Sequence, residues 1–191
     1  MRSIPLVTLA LALTTAGCTP SVDVRTQTAP DVSFGGRQTF WILPVPPRRA
    51  DVASAASDDP MLANSITNRA LVNDLTRAFE ARGYVVNPTN PDFTVAYYAS
   101  TREKLNINRW DYGYSWRRWP RSYVDVTEYT EGTVIVDVVD PSTKELLWRG
   151  QGVSAVSNDP AVYTRELSKT VTAILNKFPQ ASPQATAQSP Q

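Results

Sequence analysis

The spacing of apolar positions changes several times along the chain, and each change predicts an element. Four stretches read as strands: TFWIL at 39–43, FTVAYYAS at 93–100, YVDVTEYTEGTVIVDVV at 123–139 and ELLWRGQGVSAV at 145–156. All are rich in β-branched and aromatic residues, which suit a pleated, half-buried surface. In the third, Val124, Val126, Val134, Val136 and Val138 share one face, while Asp125, Thr127, Glu131 and Asp137 share the other. A sheet with one buried face and one partly wet face is therefore expected. The DPST sequence at 140–143 predicts a tight turn joining the third and fourth strands as an antiparallel hairpin.

Two segments have helical spacing and open alike, with DDP at 58–60 and NDP at 158–160. An acid that caps the first turn, followed by a proline whose missing N–H costs nothing there, predicts a helix start at Asp59 and at Asp159. The first helix is expected to present Leu62, Ile66, Ala70, Leu71, Leu75, Ala78 and Phe79 to the core and to stop at Gly83. The second aligns Tyr163, Leu167, Val171, Ile174 and Phe178 and stops at Pro179. The expected fold is an α+β domain: a mainly antiparallel β-sheet in β-α-β-β-β-α order with two helices packed on one face.

The chain ends differ from this pattern. Met1-Arg2-Ser3 is a basic start, 4–13 is a short apolar run, and small residues lead to Cys18, the only cysteine among 191 residues. Residues 1–17 are read as a secretory signal peptide, too short to persist as a spanning helix. The stretch TTAGC at 14–18 resembles the lipobox of bacterial lipoproteins, whose cysteine is diacylglycerylated and becomes the mature first residue. A plain signal peptide followed by an incidental buried cysteine is the alternative. Lipidation at Cys18 would anchor the protein durably, because each buried methylene contributes about 0.8 kcal/mol and more than one chain is attached. Thr19, rather than Asp, after that cysteine resembles the sorting pattern for the outer membrane, with the domain facing the periplasm. Residues 18–30 are read as a lipidated tether, although VDV at 22–24 allows a short edge strand. Residues 31–179 are read as the single folded domain. The final stretch, 180–191, contains only Gln, Ala, Ser, Pro and Thr and is expected to be a disordered tail.

Composition narrows the chemistry. The chain has no histidine, and its lone cysteine is committed to the anchor, so Ser-His-Asp and Cys-His catalysis, histidine-ligated zinc and disulfides are excluded. No cofactor and no metal are expected. Loss of Arg2 with the signal peptide leaves 18 basic and 18 acidic side chains, so no bulk attraction to nucleic acid arises. Gly35-Gly36 is a turn without the rest of a phosphate-binding loop. Asp125, Glu131 and Asp137 share a strand face, but positions six apart on a strand stand about 20 Å apart. Glycosidase carboxylates work at about 5 to 10 Å, so one strand does not supply the pair. Trp148 is read as core and Arg149 as its surface neighbour.

The charge is nevertheless segregated. From 102 to 121 there are six basic residues against Glu103 and Asp111. RWDYGYSWRRWPRS at 109–122 adds aromatics, and Arg109, Trp110, Tyr112, Tyr114, Trp116, Arg117, Arg118, Trp119 and Arg121 form the candidate binding set. The segment lies between two predicted strands and is turn-prone, so it is read as a long hairpin tip. Either its aromatics fold back on the sheet with the arginines stacked on them, or they meet a partner. An envelope protein, a glycan or an anionic lipid headgroup fits that chemistry, whereas nucleic acid does not fit an envelope address.

Several of these pieces together, TFWILP at 39–44, ARGY at 81–84, PDFTVAYY at 91–98, YTEGTVIVDVVD at 129–140, ELLWRG at 145–150 and ILNKFP at 174–179, resemble a family of short bacterial lipoproteins known only as a domain of unknown function, numbered four-one-three-six. The insertion PVPPRRADVASAASDD at 44–59 departs from it. The resemblance implies an envelope lipoprotein and brings no reaction and no catalytic residue. The order of elements is also similar to that of small periplasmic lipoproteins that assist outer-membrane assembly, a likeness of fold alone. The expected function is therefore that of a non-catalytic envelope lipoprotein serving as a periplasmic binding or assembly module, not an enzyme. Small-ligand or glycan binding is the alternative, and a carboxylate-dependent hydrolase a weaker one. A flat aromatic patch, an apolar cleft or a pocket of converging acids would separate the three.

Overall fold

The structure, a computed structural model, describes residues 22–45, 61, 65–99, 132–153, 155–157 and 159–182. Its elements are β1 (Val24–Thr28), β2 (Thr39–Ile42), α1 (Ile66–Glu80), β3 (Val85–Val86), β4 (Phe93–Ala99), β5 (Thr133–Val139), β6 (Leu146–Val153) and α2 (Pro160–Leu175). The strands make one sheet in the order β1-β6-β5-β4-β2-β3. The pairings β1–β6, β6–β5 and β5–β4 are antiparallel, while β2 runs parallel to both β4 and β3. The fold is thus α+β and mostly antiparallel, with two strands beyond the expected order. One extra strand is β1, which takes residues read as tether into the sheet edge. The other is β3, whose two residues are too few to show a period.

Where the sequence carries local turn and cap chemistry, the structure follows it. The Asp140 carboxylate accepts from the N–H groups of Ser142 (2.9 Å) and Thr143 (3.0 Å), closing the β5–β6 turn. Asp159 caps α2, accepting from Ala161 N–H at 2.8 Å and Val162 N–H at 3.3 Å, with Pro160 in the first turn. Helix α1 begins later than DDP implied. Its cap is Ser65, which accepts from Asn68 N–H at 2.9 Å, and residues 58–60 lie outside the described residues. Leu71, Leu75 and Phe79 are buried as expected, but Ile66 is 70% exposed, because it begins the helix on the outward side of that stripe.

The core lies between the two helices and one sheet face. Phe40, Phe79, Tyr84, Phe93 and Phe178 interlock there, with ring centroids 4.9 Å apart for Phe40–Phe79 and 5.3 Å for Phe79–Phe178. Trp148 stacks edge-on against Phe178 at 5.0 Å. Helix α2 sits close to β6 because Gly150 and Gly152 lack side chains: a Cβ on Gly150 would fall 2.4 Å from Ile174 Cγ2. Residues 180–182, read as the start of a tail, are tied back, since Ala181 N–H donates to Arg82 O at 2.9 Å. Residues 183–191 lie outside the described residues.

The face of the sheet turned from the helices is not wet. Ala96, Tyr98, Ile135 and Asp137 on it are all at most 3% exposed. Asp137 is not a solvated acid and Arg149 is not a surface neighbour. Directly opposite each other in the β5–β6 register, they form a buried bidentate pair with both N–O distances at 2.6 Å. Low dielectric makes such a pair tolerable only when both ions are matched in this way. Asp125, Thr127 and Glu131 lie outside the described residues.

Candidate functional site

The Cys18 anchor and the cationic aromatic set Arg109, Trp110, Tyr112, Tyr114, Trp116, Arg117, Arg118, Trp119 and Arg121 lie outside the described residues. Within them, a concave site occurs where sequence reading gave no signal, at the C-terminal end of β2.

Its position follows from how β2 is flanked. On one side β2 pairs with β4 through Phe40, Trp41 and Ile42, and Leu43 N–H continues the ladder to Val95 O at 2.8 Å. On the other side it meets β3 only at Thr39 and Phe40. β3 stops there for local reasons. Pro88 has no N–H to offer a ladder, and Asn87 folds the chain aside, its side-chain oxygen accepting from Thr89 N–H and Asn90 N–H, each at 3.1 Å. Beyond Phe40 the outer edge of β2 has no strand partner among the described residues. The N-terminal half of α1 lies beside that edge, as a helix following a parallel strand must to return the chain to its start.

Between them is a cleft of about 390 Å³, within the range of about 300–1,000 Å³ typical of ligand sites. Trp41, Ile42, Leu43, Pro44 and Val45 form one wall and Val72 faces them from α1. Polar groups come from Asn68, Arg69 and Asn73 on the helix and from Tyr97 on β4. Asn68 is held twice, since its backbone meets the Ser65 cap and its side-chain N–H donates to the Tyr97 hydroxyl at 2.9 Å. Burial pushes the Tyr97 phenol above its ordinary value, and the bond from Asn68 only partly offsets this, so it stays neutral. Among the described residues lining the cleft, none is acidic. The arrangement can enclose an apolar group and hydrogen-bond a polar one, but these side chains include no acid–base pair. Among the described residues no group of three metal-ligating side chains converges.

A larger cleft of about 490 Å³ at the C-terminal ends of α1 and α2 differs in kind. Its Arg82 donates to the carbonyls of Asn176 and Pro179 at 3.3 and 3.4 Å, and its Arg77 pairs with Asp74. Arg82 thereby satisfies carbonyls at the end of α2, and Arg77 is neutralised by a carboxylate, so both cations have partners within the protein. Signals for the β2–α1 cleft were faint in sequence: Pro88 marks where β3 must end, but nothing links 41–45 to 68–73.

A six-stranded, mostly antiparallel sheet with both helices on one face, and a cleft at the end of its parallel strand, defines a small α+β domain. The chain belongs to the family described as Domain of unknown function (DUF4136), whose model matches residues 24–180. Among solved structures, a DUF4136 family protein from Bacteroides thetaiotaomicron is similar in fold, with 14% identity, a TM-score of 0.51, and coverage of 84% of this chain and 95% of that one. A PelC dodecamer from Paraburkholderia phytofirmans shares 11% identity at a TM-score of 0.40, covering 85% of this chain and 99% of that one. No curated protein sequence matches the chain significantly.

Proposed function

We propose that this protein is a non-catalytic lipoprotein of the bacterial envelope, held by acyl chains on Cys18 at the outer membrane and facing the periplasm, and that it serves as a binding module whose ligand enters the β2–α1 cleft. The observation that carries the binding role is the cleft itself, an apolar enclosure at a strand edge whose described lining includes Arg69 and Asn73 at its polar side and no carboxylate. The anchor rests on the TTAGC sequence and the single cysteine. The aromatic and arginine composition of 109–122 supports a second contact, with an envelope protein, a glycan or anionic lipid. A small-ligand or glycan reading draws support from Trp41 and the Asn73 amide at the cleft, a pairing suited to a sugar ring and its hydroxyls. A hydrolase reading draws none, because Asp137 is committed to Arg149.

Fractionation of cells expressing the wild type and Cys18→Ser tests the anchored reading. Wild-type protein should sediment with outer membrane and take up labelled palmitate. The variant should run unlabelled, as a soluble or uncleaved species. A cleaved Cys18→Ser protein that stays in the membrane would overturn the assignment.

A further inference from the structure

The open edge of β2 carries more than a cavity. In a parallel ladder the backbone groups of alternate residues point to opposite neighbours. Leu43 N–H reaches β4, while Phe40 C=O on the other side receives Asn87 N–H at 2.8 Å. The same alternation turns the N–H and C=O of Ile42 to the β3 side, where the described residues supply no further strand. These two groups form the donor and acceptor of one antiparallel pairing position, and they open into the apolar cleft walled by Val72 and Val45. Arg69 stands at the helix side of that cleft, and among the described residues no carboxylate pairs with it.

We propose that the cleft takes an extended peptide of a partner protein, which adds as a strand to β2 at Ile42, places an apolar side chain against Val72, and brings an acidic group to Arg69. The proposal rests on the cleft being the binding site and names its occupant. A strand fits better than a lipid because an extended main chain carries N–H and C=O groups at the ladder spacing that match the Ile42 pair, main-chain bonding giving affinity and alternate side chains giving selectivity. Charge complementarity points the same way, with one unpaired cation and no acid in the described lining.

Random heptapeptides displayed on phage and selected on the purified protein provide the probe, with oleate and chitooligosaccharide as competing ligands of other classes. Enriched peptides should alternate apolar and polar residues and carry an acid. Arg69→Glu, which suits the first turns of a helix and so leaves folding intact, should weaken them at least about tenfold. Methylating the peptide's central backbone nitrogen should do the same by removing the ladder bond. Hydrogen exchange at the Ile42 amide should slow when peptide binds. If no peptide is enriched, or if binding survives N-methylation or Arg69→Glu, the strand proposal is wrong. Oleate or oligosaccharide binding at the cleft without peptide binding would overturn the strand while leaving the cleft as the binding site. No ligand of any class at the cleft would remove both.

Discussion

Placing a methyl group at Gly150 tests whether α2 lies directly on the sheet. A Cβ there would stand 2.4 Å from Ile174 Cγ2 and 2.4 Å from the six-membered ring of Trp148. Carbon atoms rest at about 3.5–4.0 Å, so each contact is more than 1 Å too short. Neither neighbour can swing aside cheaply, since Ile174 is fully buried and Trp148 is 1% exposed. Overpacking of a tight core costs about 1–3 kcal/mol, and two rigid neighbours place Gly150→Ala at the upper end, about 3 kcal/mol. For a chain of this size that is a fall of about 6–12 °C in Tm. Gly152→Ala, whose first contact is Thr170 Cγ2 at 2.8 Å, should be milder. Gly36→Ala has nothing within 4 Å and should cost only the left-handed backbone penalty, about 1 kcal/mol. Urea melts of the three variants give the ranking. Ile174→Ala in the Gly150→Ala background should cost at least about 1 kcal/mol less than the two changes summed, because the clash and the cavity cancel. A Gly150→Ala midpoint within about 0.5 kcal/mol of wild type would refute direct contact between α2 and β6.

Ser65→Ala and Asp159→Ala should each lower stability by about 0.5–2 kcal/mol through a lost helix cap, read from denaturant midpoints. Arg149→Met should cost about 3–5 kcal/mol by stranding the buried Asp137, and adding Asp137→Leu should recover much of it; a double variant as unstable as the single one would contradict the pairing. Burial alone would raise the Asp92 carboxyl, but bonds from Gln38 N–H, the Thr39 hydroxyl and Thr39 N–H, with nearby Arg37, hold it below its ordinary value. A depressed folded-state value means stability that is present above the unfolded value and lost as pH falls through the folded one, so Asp92→Asn should flatten the loss of Tm below about pH 4.

The legible parts of the fold were those that sequence encodes locally. NDP at 158–160 fixed the start of α2, and DPST at 140–143 fixed the β5–β6 turn, because one side chain satisfies the backbone within a few residues in each case. At 58–60 the same grammar lies outside the described residues, and the cap of α1 is Ser65, which the apolar spacing did not single out. Alternation separated the two faces of β5 correctly but said nothing of what lies over each. Asp137 therefore read as wet, and only the register that sets it opposite Arg149 shows a neutralised pair. The cleft stayed hidden for a similar reason. Its walls come from 41–45 and 68–73, and they meet because β3 ends at Pro88, an event the sequence marks without saying which edge it leaves open.

Photo-crosslinking in intact cells decides whether the protein binds through the β2–α1 cleft. A benzoylphenylalanine at position 73, on the cleft side of α1, should yield an adduct of defined mass that Val72→Glu abolishes. The same probe at position 165 or 169, exposed on α2, should yield none. Adducts from 165 and 169 as strong as those from 73, or none from 73, would contradict binding at the cleft.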